Sequence, residues 1–318
     1  MKRYVVRRLT LSLITLFLLV LIVFLIVNVL PSNPARQILG PFAPQSQVDA
    51  VNEEIGFTDP KLTQFGRLLK GAVTFDYGES YQFKVPVGDL LWPALGRSAK
   101  LVVFALVLTI PPAIAAGFFA ARRRNTLGDR TVVMAGLASS SIPEFVSAVT
   151  IQYVIGVKLG WFPELALAPP GSGFLTELNH LVLPALCCAV VYFGYIARMT
   201  RAGTIQALDA DYTRTAVMKG LGRRQVMRRH VARNALQPTV SVIGVQIGYL
   251  FAGLITVEII FNYPGLGSLI YNASTSKDFP LLSAAVIVVG IIYMLCTLAA
   301  DLVIAWMNPR ARMAASRA

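Results

Sequence analysis

Three acids interrupt stretches that are otherwise apolar: Glu144, Glu258 and Asp301. An Asp near the centre of a membrane helix costs about 2.5–3.5 kcal/mol on insertion scales, so each acid needs a partner or a task. Glu144 follows Pro143, a break that frees backbone carbonyls, and it either caps that break or lines a path through the membrane. Glu258 stands close to the end of an apolar run, where a plain fold role competes with substrate contact. Asp301 is near the end of the last run and within reach of water or Arg310, which is a structural role. Catalytic chemistry has little to work with. The chain holds only two histidines, His180 and His230, with no His-Glu-x-x-His and no convincing Ser/His pair. Cys187, Cys188 and Cys296 lie within apolar runs as packing residues, without the spacing of a zinc or disulfide framework. No Gly-x-x-x-x-Gly-Lys-[Ser/Thr] occurs, so the chain has no phosphate-binding loop of its own. No catalytic residue, metal or bound cofactor is expected.

The other chemistry-bearing stretch is the polar segment 201–238, with eight Lys/Arg against two Asp. Asp209 can cap a helix over 210–219, because its carboxylate can accept the orphan N–H groups of the first turn. Gly220 then ends that helix, with Lys219 at its negative terminus. Leu221-Gly222 reverses the chain. A second helix over 223–236 spaces Val226, His230 or Val231, and Ala235 along one stripe, and Pro238 breaks it. Such a basic segment can lie on anionic headgroups, or it can present a docking helix on a rigid elbow to a soluble partner. The break at 220–222 favours the elbow, since a helix lying on a surface needs no interruption there.

The elements that position these residues follow from composition. The chain has 318 residues, 55% hydrophobic and only 14% charged, with a mean hydropathy of +0.63, which places it in the membrane class. A hydrocarbon core of about 30 Å needs roughly 20 apolar residues. Six segments qualify: 9–30, 98–121, 131–158, 181–200, 239–261 and 281–307. The first is too long for a signal peptide and ends without a small-residue cleavage site, so it is an anchor and a span. With the N-terminus inside, residues 1–8, 122–130, 198–238 and 308–318 hold 20 Lys/Arg against three acids, and the outer pieces hold nine against ten. That is the positive-inside pattern and puts both termini in the cytoplasm. It also explains the net charge of +13 without nucleic acid. Arg198 and Arg201 read as headgroup anchors at the inner end of the fourth span. Residues 31–97 form an outer subdomain with helical pieces at 46–55 and 62–70. The Pro/Gly-rich 160–180 loop is irregular.

Arg214-Thr215-Ala216, three residues, then Gly220-Leu221 resembles the EAA loop of ATP-binding-cassette (ABC) importer permeases, with Ala216 and Gly220 matching and Arg214 and Thr215 departing as in the dipeptide/oligopeptide subfamily. Phe75-Asp76-Tyr77-Gly78-Glu79-Ser80, Ser141-Ile142-Pro143-Glu144-Phe145 and Asp209-Ala210-Asp211-Tyr212 resemble further segments of that subfamily. So does Val257-Glu258 through Phe261 to Pro264-Gly265-Leu266-Gly267, its most specific match. Asn308-Pro309-Arg310 stands where Asp-Pro-Arg is usual. Length and the long first outer loop are similar to the B-type permease of the pair. The resemblance implies an all-α integral membrane protein of six transmembrane helices with the type I ABC importer permease fold. Its parts are the N-terminus and first helix (1–30), the outer loop (31–97), a five-helix core (98–307) and a cytoplasmic tail (308–318). It further implies a plasma membrane of a bacterium or archaeon, a homologous second permease, two ATPase subunits that use ATP and Mg, and an external solute-binding protein. Asp209, Asp211, Tyr212, Arg214, Thr215, Ala216, Lys219, Gly220, Leu221 and Gly222 would couple to the ATPase. Glu144, Glu258, Phe261, Pro264 and Gly265 would belong to the path or an outer gate. Dipeptides or oligopeptides are the expected cargo, with nickel, glutathione or another small solute as the alternative. An ion-coupled secondary transporter would show a buried relay and an inverted repeat, and neither is visible.

Overall fold

The computed structural model describes residues 2–29 and 33–307. The end of the first apolar run at residue 30, Asn308-Pro309-Arg310 and the tail fall outside them. Among the described residues the chain is helices and loops, with one isolated bridge between Glu79 and Pro86.

Helix α1 (Lys2–Val29) is basic through Arg8, almost wholly apolar from Leu9 on, and stands at the edge of the bundle. It touches α13 and α4, burying Val20 against Ala72 and Ile287 while Leu13 and Ile26 face outward. The segment that follows folds as three short helices: α2 (Pro34–Leu39), α3 (Gln45–Glu54) and α4 (Lys61–Thr74). Asn33 caps α2 by accepting the Ala35 N–H at 3.0 Å. Helices α3 and α4 cover the helical pieces read at 46–55 and 62–70.

The second span is the C-terminal part of α5 (Val87–Arg122), which begins well before residue 98. The third span is not one rod. Helix α6 (Leu127–Ser141) meets α7 (Glu144–Ile151), which continues as a π-helical turn over Gln152–Lys158, and the two halves bend by 99°. Pro143, without an N–H and with extended backbone, makes the corner. Helix α8 (Phe174–Asp209) runs through the fourth span and on into the basic segment. Helices α9 (Asp211–Met218) and α10 (Arg223–Val226) follow, then a π-helical turn over Met227–Val231, α11 (Ala232–Ile260), α12 (Leu266–Thr275) and α13 (Phe279–Met307). Among the described residues four helices are long and apolar enough to cross a membrane, and two bent pairs bring the count to six if each is one span.

Two sequence expectations fail here for a common reason. Pro238 does not end a helix: it sits inside α11, its ring over Gly203 of α8. Asp209 does not cap α9, because α8 stays helical through Asp209 and the turn falls at Ala210, with extended backbone and no side-chain cap. In both places packing between α8 and α11 keeps the backbone helical where local preference would stop it. The central core lies between α5, α8 and α11, where Leu101, Ala105, Leu183, Cys188, Leu250 and Leu254 are buried together.

Candidate functional site

The basic segment is an elbow built on α8. Two residues of α9 face inward, Thr213 and Ala216, three apart and so on one face. The Thr213 hydroxyl donates to the Ala207 carbonyl at 2.7 Å, which locks α9 against the end of α8. Ala216 joins a small core with Ala207, Val226, Val231 and Ala235, so the open choice between His230 and Val231 resolves to Val231. Gly220, at φ +78°, ends α9 in a Schellman turn: its N–H donates to Val217 at 2.9 Å, and the Leu221 N–H reaches Ala216 at 3.3 Å. Leu221 packs into the same core.

The remaining surface of α9 is open. Asp211, Arg214, Thr215 and Lys219 are exposed, as are Gly220 and Gly222. Among them stand Tyr212, Val217 and Met218, at 42%, 58% and 80% exposure. Asp209 faces outward and pairs with Arg124 of the α5–α6 turn at 3.2 Å.

The intramembrane acids separate sharply. The Glu258 side chain is fully buried and organises the start of α12. Its Oε1 accepts the Ser98 hydroxyl at 2.5 Å and its Oε2 accepts the Ser268 N–H at 2.9 Å, while Ser98 Oγ accepts the Leu266 N–H at 2.7 Å. Two orphan donors of the α12 first turn are thereby satisfied. A side chain at Gly265 would run into this pair, which is why the chain can pass there. Phe261 is fully buried, its carbonyl accepting the Ala166 N–H at 2.9 Å, and Arg97 Nε donates to the exposed Pro264 carbonyl at 2.5 Å. These residues pin α12 to α5 and α11.

Glu144 opens α7 at the corner of the broken span. Its carboxylate lies against Gly253 of α11, and Oε1 is buried without a hydrogen-bond partner. Asp301 pairs with Arg8 of α1, and the reading that brings Arg310 to it falls outside the described residues. Arg201 is no headgroup anchor: its guanidinium forks onto the buried Asp129 carboxylate of α6 at 2.5 and 2.7 Å. Arg198 donates to the Gly194 carbonyl at 3.1 Å and stacks on Tyr195. At the other end, a cavity of about 480 Å³ lies between α1, α4 and the start of α13, lined in part by Phe24, Lys70, Tyr77, Tyr81, Lys84 and Phe279. Burial pushes both tyrosine phenols up to about 12, so they stay neutral donors, and Asp278 adds to the effect at Tyr81. None of the sequence-derived site residues lines this cavity. Among the described residues no group of His, Cys, Asp or Glu is placed to hold a metal ion.

Residues 113–313 match the family model of the binding-protein-dependent transport system inner membrane component, and residues 1–115 match the N-terminal model of the same membrane component. The chain belongs to that family. It is 31% identical to the dipeptide transport system permease protein DppB of Alkalihalophilus pseudofirmus, over 98% of this chain and 99% of that one. It is 33% identical to the glutathione transport system permease protein GsiC of Escherichia coli, with the same coverage. A solved amino acid ABC transporter chain is similar at a TM-score of 0.47 and 18% identity, covering 70% of this chain and 94% of that one, too distant to carry a conclusion.

Two features of this inner membrane component escape a reading of the sequence, and a third did not need to. Asp129 looks like one more loop charge until α6 and α8 are packed together. Ser98 looks like a boundary residue, yet it completes the Glu258 network across 160 positions. Val217 and Met218 carried a usable signal, since two large apolar residues close a short helix whose only charges are Asp211 and Arg214.

Proposed function

We propose that this chain is one permease subunit of an ATP-driven importer that moves dipeptides or oligopeptides delivered by an external binding protein. The observation that carries the reading is α9, a short helix locked to the end of a 36-residue span helix, with an exposed face that sets Tyr212, Val217 and Met218 among polar side chains. A rigid elbow of this kind seats in a cleft of a soluble partner and passes that partner's movement into the bundle. The named relatives support the cargo class. A dipeptide and glutathione share amide bonds and free carboxylates, so a common path for short peptides accounts for both better than one for nickel. In this reading α9 lies in the cytoplasm with both termini, a homologous permease completes the path, and two ATPase subunits supply ATP hydrolysis with Mg. The chain itself performs no catalysis.

The test is co-expression with a second permease, the ATPases and the binding protein, followed by reconstitution in vesicles. ATP-dependent uptake of a labelled dipeptide or of glutathione is expected. Uptake driven by an ion gradient with ATP depleted would favour a secondary transporter instead. Gly220→Pro gives the sharper check, because proline holds φ near −65° and cannot adopt +78°. The variant complex should hydrolyse ATP with little uptake; normal uptake would remove α9 from the coupling path.

A further inference from the structure

The ion pair between the buried Asp129 carboxylate and the quarter-exposed Arg201 guanidinium lies where three elements meet. Arg201 is on α8, two turns before the elbow, and its Nε and Nη2 each donate to one oxygen of Asp129. The Asp129 side chain is 4% exposed and sits in the first turn of α6. Its Oδ2 also accepts the Asn125 N–H at 2.9 Å, and Asn125 has φ +66°, so the carboxylate fixes the tight α5–α6 turn as well. The same turn carries Arg124, whose guanidinium pairs with Asp209, the last residue of α8. Farther along, Gly136 of α6 and Gly194 of α8 bring the two backbones together with no room for a side chain. The first half of the bent span is therefore tied to α8 at its base by a fork of charge and along its length by backbone contact. Its second half, beyond the Pro143 corner, carries Glu144.

We infer that Asp129 and Arg201 are positioning residues that make α6 follow α8, so that displacement of the elbow tilts the bent third span about its corner at Pro143. The inference rests on the ATP-driven reading above. The geometry suits a strut. A bidentate guanidinium–carboxylate pair resists both sliding and rotation, which a single point contact does not. A lysine at 201 would keep the charge and lose the fork. The surface pair of Arg124 and Asp209 is screened by solvent and holds the turn far more weakly.

The experiment uses the reconstituted complex, with Arg201→Lys and Asp129→Asn beside the wild type, and measures uptake per ATP hydrolysed by assembled transporter. That ratio reports transmission and does not change with the amount of folded complex. Both variants should assemble, retain ATP hydrolysis and lose about 2- to 30-fold in the ratio, the span that single contacts carry in coupled networks. Arg124→Gln should leave it close to wild type. Assembly with an unchanged ratio in Arg201→Lys overturns the inference. Failure of both variants to assemble also overturns it, since the pair would then serve folding alone. Wild-type uptake that needs no ATP would instead sink the ATP-driven reading, and this inference with it.

Discussion

At the scale of single residues, the two glutamates inside the bundle illustrate opposite solutions to one problem. Glu258 has every nearby donor it needs: a serine hydroxyl and a backbone N–H from the first turn of α12. Glu258→Ala would leave the Ser268 N–H buried without a partner, and an unsatisfied buried group costs about 1–3 kcal/mol. The detergent-solubilised protein should therefore melt several degrees lower. Glu258→Gln keeps an acceptor and should recover most of the loss; equal melting of all three proteins would remove the carboxylate from the α12 cap. Glu144 has no such shell, and its buried oxygen faces Gly253 at the corner of a broken helix. The sequence singled out both acids by their cost in an apolar run. It left Glu144 between cap and path and leaned to a fold role for Glu258, but not to its partners, because Ser98 and Ser268 reach Glu258 only through the fold.

At the scale of elements, the largest departures from expectation concern where helices stop. Prolines 143 and 238 carry the same local instruction, yet one makes a 99° corner and the other lies inside a continuous helix. The difference is the neighbour. Around Pro238 the turn is held between α8 and the small core of Val231 and Ala235, while at Pro143 the chain turns outward with its carbonyl taking the Val146 N–H at 3.0 Å. Asp209 tells the same story, since α8 outruns the cap signal meant for α9. The contact between α6 and α8 is the element-level feature most open to test. A side chain at Gly194 would fall 2.8–2.9 Å from backbone atoms of Gly136, so Gly194→Leu must push the helices apart. Overpacking of this kind costs about 1–3 kcal/mol. A lower melting temperature and reduced folded yield are expected, and wild-type stability would show that the crossing is looser than drawn.

At the scale of the whole molecule, the partition of charge predicts which end of the bundle meets the cytoplasm. Impermeant maleimide labelling decides it. In a background with Cys187, Cys188 and Cys296 replaced, a cysteine at Phe42, 97% exposed in the outer segment, should label in intact cells. One at Asn125 should label only after the membrane is opened, and the reverse pattern would invert the topology. What the sequence by itself determined is the membrane class, the apolar runs, the charge asymmetry and the Gly220 stop of α9. Each of these is a local or additive property of the chain: hydrophobic length, net charge, or a backbone angle that only glycine takes cheaply. Tertiary structure alone decided the Asp129–Arg201 fork, the Glu258 cap on α12, the bend at Pro143 as against the continuity at Pro238, and the inward face of α9. Those depend on groups 6 to 168 positions apart meeting once the helices pack, where a partner changes the free energy of a polar or charged group more than any local preference does.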